Sequence, residues 1–363
     1  MEKKLELSDF GIKVRNQDSR FWVVRASGGE FIPNFVQGGV AAIGHLDNFI
    51  NRPKSPKDIS HSDLIKFLKN SKNLDTPNTE KVRIGNTKSQ IENFVQEIKL
   101  GDTVVSVDSR TVAVGVATGE PFFNDDPIVV QHTYGPPTEL KYVTRIPVAW
   151  EHQFKRRELP LVVRNTLQAH QTVFSLDRHW TYIYHLIYPI FADFDHIYYS
   201  NFIHQKKDVS ANAMAKLMAF FSEIEPILFG NTSGQKKAFE EFDLNKLSAL
   251  FEEQNSERYT SFKTEVFSEG PVWWKMPLQY IQDYRRVVIL LLIVSAVFGG
   301  EMGPLKMPGI ITPEMRETML KFIFEKIDEH DIEKAKQDLM LDIPRKFSDP
   351  RINTAILSPK INT

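Results

Sequence analysis

The chain has 363 residues, 42% hydrophobic and 25% charged, with a formal net charge of -1 and no cysteine. That size and composition suit two globular domains with real cores, and the near-zero charge gives no global attraction for nucleic acid or anionic membranes. The lack of cysteine excludes disulfide scaffolds, thiolate zinc sites, iron–sulfur clusters and thiol nucleophiles. Charge is divided unevenly: residues 1–175 carry roughly +3 and the remainder roughly -4, which permits a nucleic-acid contact in the first half without demanding one. The start, Met1-Glu2-Lys3-Lys4-Leu5, has no apolar signal core, so a cytoplasmic location is expected.

Phe21 to Ala26 is aromatic and β-branched and ends at Ser27-Gly28-Gly29, which predicts a short strand and a turn. Phe31 and Phe35 lie four apart in a short helix, and Val40 to Ile43 makes a second buried strand stopped by Gly44. Arg25 beside the glycine turn forms a candidate ligand-facing corner, because glycine lets backbone N–H groups come close and arginine supplies a planar fork of donors. After a loop at 51–57, Ser60 or Ser62 caps a helix over 64–68, and a polar loop with Pro77 leads to a helix over 87–98. Leu100-Gly101-Asp102 is a turn, and Thr103 to Val107 and Thr111 to Thr118 read as a hairpin. Residues 121–137 read as one long loop, then Tyr142 to Trp150 as a strand. Strands at both ends with helices between them suggest a small curved α+β barrel.

The run FWVVRASGGEF, then GGVAAIGH, then FVQEIKLGDTVVSVDSRTVAVGVATGE and RIPVAW, resembles the N-terminal modules of bacterial restriction and anti-phage proteins of the Mrr and McrB kind. Those modules are similar to the PUA-like superfamily, which includes the EVE and YTH domains. The likeness covers about residues 21–174. It departs at His45, where family members often carry Trp, and at Tyr142-Val143-Thr144-Arg145, where they often have His-Arg-Arg. The resemblance implies a small PUA-like β-barrel with inserted helices, reading a modified or flipped base in an aromatic pocket. A base out of its stack needs a π-face and edge-reading hydrogen bonds. Trp22, Phe35, Tyr142 and Trp150 are the stacking candidates; Arg25, Arg145 and the backbone of Ser27, Gly28 and Gly29 are the polar ones. Lys155, Arg156, Arg157 and Arg164 are candidate contacts to a nucleic-acid backbone.

Beyond residue 175 the character changes, so a first domain over 1–175, a second α+β domain over 176–342 and an extended tail over 343–363 are expected. His179 to Tyr188 is rich in aromatic and β-branched residues and predicts a strand; helices are predicted at 210–223 and 244–253, with Gly230 to Gln235 a loop. Paired strands follow at 262–267 and 272–276, a strand at 305–311, and a helix from Pro313 with Met315, Met319, Phe322 and Ile323 inward. The run Val287 to Phe298, between Arg285-Arg286 and Gly299-Gly300, is apolar on every face and must be buried all round. Its uncharged length of about 14 residues falls short of the about 20 needed to span a bilayer, which favours a helix packed on the sheet, any exposed side sealed by another subunit.

The histidines at 152, 170, 179, 185, 196 and 204 show no metal-ligand spacing, no Walker-type loop is present, and no acid followed by acid-x-Lys of a restriction nuclease stands out. The expectation is a defence component that is not an enzyme and needs no metal or cofactor. Its first domain would read a nucleic-acid base or nucleotide, and its second would assemble with copies of itself or a partner defence protein. The alternatives are a membrane-acting effector using residues 287–311, or a nuclease with an unrecognised site.

Overall fold

A computed structural model describes residues 7–10, 12–25, 27–70, 77–132, 135–169, 171–205, 208–230, 232–241, 243–254, 261–264, 270–277, 284–298 and 312–342. The chain divides into two compact units, one built on Asp18–Trp180, the other on residues 181–342 with residues 7–17. Both are mixed α+β. Strand β1 (Lys13–Val14), which the sequence places in the first domain, belongs to the second unit, where Lys13 pairs in parallel with Phe191. A two-residue strand leaves no alternation to read.

The first unit runs β2 (Phe21–Val24), α1 (Ile32–Gly38), β3 (Val40–Ile43), α2 (His61–Asn70) and α3 (Pro77–Glu92), which ends in a π turn, Asn93–Glu97. Then come β4 (Thr103–Val107), β5 (Thr111–Ala117), β6 (Phe122–Phe123), β7 (Ile128–Val130), β8 (Thr138–Leu140), β9 (Thr144–Lys155), α4 (Leu161–Thr166) and β10 (Val173–Ser175). The main sheet has the order β10-β2-β4-β5-β9-β3, with β6 also on β9. The first residues of β9 pair with β3 and β6 and its later ones with β5, so one long strand hands the sheet from one set of partners to the other and curls it into a half-barrel. A bulge opposite Val114 and Gly115 sharpens that bend. Gly115 is required there, since a Cβ would stand 2.5 Å from the Ala149 carbonyl oxygen.

Two predictions need correction here. Helix α3 starts at Pro77, ten residues before the predicted Thr87, because proline suits the first helical turn. The predicted loop over 121–137 carries β6 and β7, and β7 pairs with β8 as a separate hairpin. Asn34, fully buried on α1, clamps that hairpin: its Nδ2 donates to the carbonyls of Ile128 (2.6 Å) and Thr138 (3.0 Å), and its Oδ1 accepts from the Thr138 hydroxyl (2.9 Å).

Asp102, 3% exposed, ties the sheet together. Its carboxylate accepts from the Trp22 indole N–H (3.0 Å) and from the backbone N–H groups of Arg20 (2.8 Å) and Lys99 (3.0 Å). These donors come from the start of β2 and from the turn into β4, where Gly101 holds φ at +90°.

The second unit contains α5 (Trp180–Ile187), β11 (Ile190–Ala192), β12 (His196–Ile203), α6 (Ala211–Phe229), α7 (Ser233–Glu240), α8 (Leu244–Gln254), β13 (Ser261–Thr264) and β14 (Gly270–Pro277). It ends with α9 (Tyr284–Phe298), α10 (Pro313–Glu329), α11 (Ile332–Leu339) and β15 (Leu341–Asp342). Its sheet has the order β1-β11-β12-β14-β13, with β15 beside β12. The predicted strand at 179–188 is instead α5. Trp180, Ile183, Tyr184 and Ile187 stand at i, i+3, i+4 and i+7, and this helical spacing overrides the residues' β propensity. Helix α7 replaces the end of a predicted loop, started by a capping box between Thr232 and Gln235.

Helix α9 is buried on all faces from Val287 to Val294. It shares one core with Val272, Trp274 and Met276 of β14 and with residues of α6 and α10, so the unit covers this helix itself. Arg286, just before the apolar run, is 3% exposed; it donates to the Leu228 carbonyl (2.9 Å) and the Gly230 carbonyl at the end of α6 and lies 4.6 Å over the Phe239 ring. No helix among the described residues is long and apolar enough to cross a membrane. The predicted glycine stop at 299–300, strand at 305–311 and tail over 343–363 lie outside the described residues.

Asp102→Ala should lower the stability of the first unit by about 3 kcal/mol, since three donors lose a charged acceptor in a buried site. Urea unfolding followed by Trp fluorescence measures it. Leu291→Asp should leave insoluble or unfolded protein, as Leu291 is 2% exposed and an unpaired buried carboxylate costs several kcal/mol; a soluble variant with wild-type circular dichroism would contradict the all-round burial.

Candidate functional site

The predicted corner at Arg25 is largely structural. Trp22 is 1% exposed, with its N–H on Asp102 and the Arg20 guanidinium 4.3 Å from its ring, so it has no open face for a ligand. Arg25 donates to the carbonyls of Ala169 (2.6 Å) and Leu167, just past α4, and caps that helix as cations do at C-termini. Burial and the nearby Arg156 both lower its pKa. Phe35 is fully buried and stacks on Trp150 at 6.2 Å; the Trp150 N–H donates to the Val40 carbonyl (3.1 Å). Arg145 is 3% exposed and donates to the Tyr142 carbonyl (2.9 Å) and the Asp126 carbonyl. Trp22, Arg25, Phe35 and Arg145 thus hold the fold, while Trp150 is half-buried against it.

Ser27 and Tyr142 do meet, with their hydroxyls 2.9 Å apart, and Phe31 packs edge-on against Tyr142 at 5.6 Å. Ser27 (φ +47°), Gly28 (φ +66°) and Gly29 (φ +97°) all turn through the left-handed region. A Cβ at Gly29 would collide with the Val107 carbonyl oxygen, so this turn presses on the β4–β5 hairpin and its backbone packs inward.

From the Tyr142 corner the structure leads into the loop after β3. Asp47 accepts from the Val143 N–H (3.1 Å), and Arg52 bridges the Asp47 carbonyl (2.8 Å) to the Asp125 carboxylate (2.6 Å). Burial raises the Asp47 pKa, outweighing the Val143 N–H, Arg52 and Arg145, which pull it down. With the start and middle of the loop so fixed, residues 48–59 and helix α2 line an open pocket of about 780 Å³. Phe49 and Phe67 form its aromatic wall, ring to edge at 5.1 Å, half-buried against the core behind. Around them stand the apolar Ile50, Pro53 and Ile59, the amides of Asn48, Asn51 and Asn70, and the charged Asp58, Asp63 and Lys66. Ser60 fixes Asp63 by donating to its carboxylate (2.6 Å) and accepting from its N–H (3.1 Å). The sequence carries no pattern that marks this pocket, since Phe49 sits in a loop without periodicity and Phe67 on α2, and Ile50 beside Phe49 is 81% exposed.

The basic residues divide. Lys155 and Arg157 are exposed at the end of β9 and in the turn after it. Arg156 is partly held inward by donating to the Asp108 carbonyl (2.8 Å), and Arg164 is half-buried on α4. The β4–β5 hairpin brings Arg110 to the same place, since the Arg156 N–H donates to the Arg110 carbonyl (2.7 Å). No group of three His, Asp or Glu side chains that could hold a metal occurs among the described residues.

Residues 40–177 match a family described as a domain of unknown function, DUF8426. That span holds the pocket, Tyr142, Arg145, Trp150 and the basic turn, and leaves Trp22, Arg25, the 27–29 turn and Phe35 outside it. No curated protein and no solved structure matches the chain.

Arg25→Ala should lower Tm by several degrees, because two carbonyls and a helix end lose their cation; an unchanged Tm would return Arg25 to the ligand candidates. For Asp47, a folded pKa above the ordinary value of 3.8 adds stability below that value and loses it as pH rises through the raised one. Asp47→Asn keeps an acceptor for Val143 and should melt higher than the wild type at pH 7, the gain shrinking toward pH 4. A variant that melts lower at pH 7 and equally near pH 4 would show that the arginines, not burial, dominate.

Proposed function

We propose that the chain is a defence-type adaptor whose first unit, a PUA-like module, reads a nucleic-acid base or nucleotide in the pocket between residues 48–59 and α2. One observation carries the reading: the paired rings of Phe49 and Phe67 in a pocket of about 780 Å³ whose rim bears three side-chain amides. That volume lies in the range of small-ligand sites, about 300–1,000 Å³. Aromatic walls stack any base, and amides present donor and acceptor together, as the edge of a base requires. The curled sheet of the first unit, with helices inserted between β3 and β4, is compatible with the barrel implied by the sequence resemblance. The basic turn of Lys155, Arg156 and Arg157, with Arg110, would contact phosphates of a bound strand. The second unit, with its enclosed α9, would serve as the assembly or signalling body, working with further copies of the chain or a partner defence protein.

Fluorescence anisotropy with short labelled single-stranded RNA and DNA tests this on the full chain. Binding should fall with rising salt, and Phe67→Ala should weaken it by about 1–3 kcal/mol, the usual worth of one base stack. No binding of any oligonucleotide, or binding unchanged in a folded Phe67→Ala variant, would refute the pocket as the reading site.

A further inference from the structure

The charges around the pocket narrow the ligand further. Among the described residues its lining holds two carboxylates, Asp58 and Asp63, and one ammonium, Lys66. Both acids are short side chains at fixed places. Asp58 ends a one-turn helix, Pro56–Asp58, that is capped by Ser55, and Asp63 is bonded to Ser60 at the start of α2. Lys66 is exposed on a long flexible stem and can keep its charge in water while its methylenes line the wall. A phosphate would find one cation and two repelling carboxylates here, so it is disfavoured inside. A planar cation would find the opposite: an aromatic pair with electron-rich faces and two carboxylates beside it.

Resting on the base-reading proposal, we infer that this pocket selects a positively charged nucleobase, such as a ring-methylated purine, entering base first with its phosphates left outside. The neutral amides of Asn48, Asn51 and Asn70 supply contacts to the ring edge, and the aromatic and acidic groups supply the preference for charge. A neutral base of the same size would stack on the same walls without the second contribution. Discrimination therefore follows charge rather than shape.

Two isomeric nucleosides separate these effects: 1-methyladenosine, which is cationic at neutral pH, and N6-methyladenosine, which is neutral. Calorimetric titration of the full chain at pH 7 should show 1-methyladenosine binding tighter by roughly fivefold, the scale of a cation–π contact in an open site. Asp58→Asn with Asp63→Asn should bring the ratio near one, with a wild-type circular dichroism spectrum and melting curve showing that the variant is folded. Equal affinity of the wild type for both isomers, or tighter binding of the neutral one, would overturn the charge preference and leave base reading intact. Binding of neither isomer, with oligonucleotides also unbound, would overturn both.

Discussion

A buried carboxylate, Asp102, is the contact on which the first unit depends. Strand β2 enters the sheet between β10 and β4, pairing from Phe21 with Thr103 and from Trp22 with Ser175. Asp102 anchors its start, accepting the Arg20 N–H and the Trp22 indole, while its other bond to the Lys99 N–H tightens the turn that delivers β4. Removing a charge from water is costly unless its lone pairs are all satisfied, and here three N–H groups meet it. The buried indole gains a partner at the same time, which fixes Trp22 as a wall of the core. This is why the most conspicuous aromatic of the opening strand cannot receive a ligand.

The same logic runs through the arginines. Arg25, Arg145 and Arg286 sit on backbone carbonyls at places where regular hydrogen bonding stops: past α4, at the root of β9, and at the end of α6. A guanidinium answers several carbonyls in one plane, so one residue closes an irregular chain end that would otherwise need ordered water. Arg52 acts similarly at the surface, linking Asp47 to Asp125, and so holds the base of the loop that shapes the pocket. The aromatic side chains that stay half-open, Phe49 and Phe67, lie off the strands, on a loop and a helix.

Much of the sheet was legible in the sequence. Strand β3 and the β4–β5 hairpin stand where their β-branched runs end in glycine or in Asp108-Ser109, and α9 is enclosed as its all-round apolarity required. Helix α5 was misread because its residue types favour strands while their spacing, Trp180-Ile183-Tyr184-Ile187, is helical; spacing reports the buried face and residue type only a preference. The short strands β1, β6 and β15 are set by their partners and leave no local pattern. The candidate site was the least legible part. Arginine next to glycine reads equally as a ligand corner or a carbonyl clamp, and only the position of the Ala169 and Leu167 carbonyls decides between them. The pocket joins Phe49 to Phe67 across a loop with no periodicity, so no sequence window contains it as a pattern.

The central claim is that the first unit holds a nucleobase between residues 48–59 and α2. Its most direct test is to denature the chain purified from its expression host and identify what is released, by mass spectrometry of the nucleosides, from the wild type and from a folded Phe49→Ala, Phe67→Ala variant. The account predicts nucleotides or oligonucleotides released by the wild type and depleted in the variant. Equal release from both, or release of a ligand with no planar base, would contradict it.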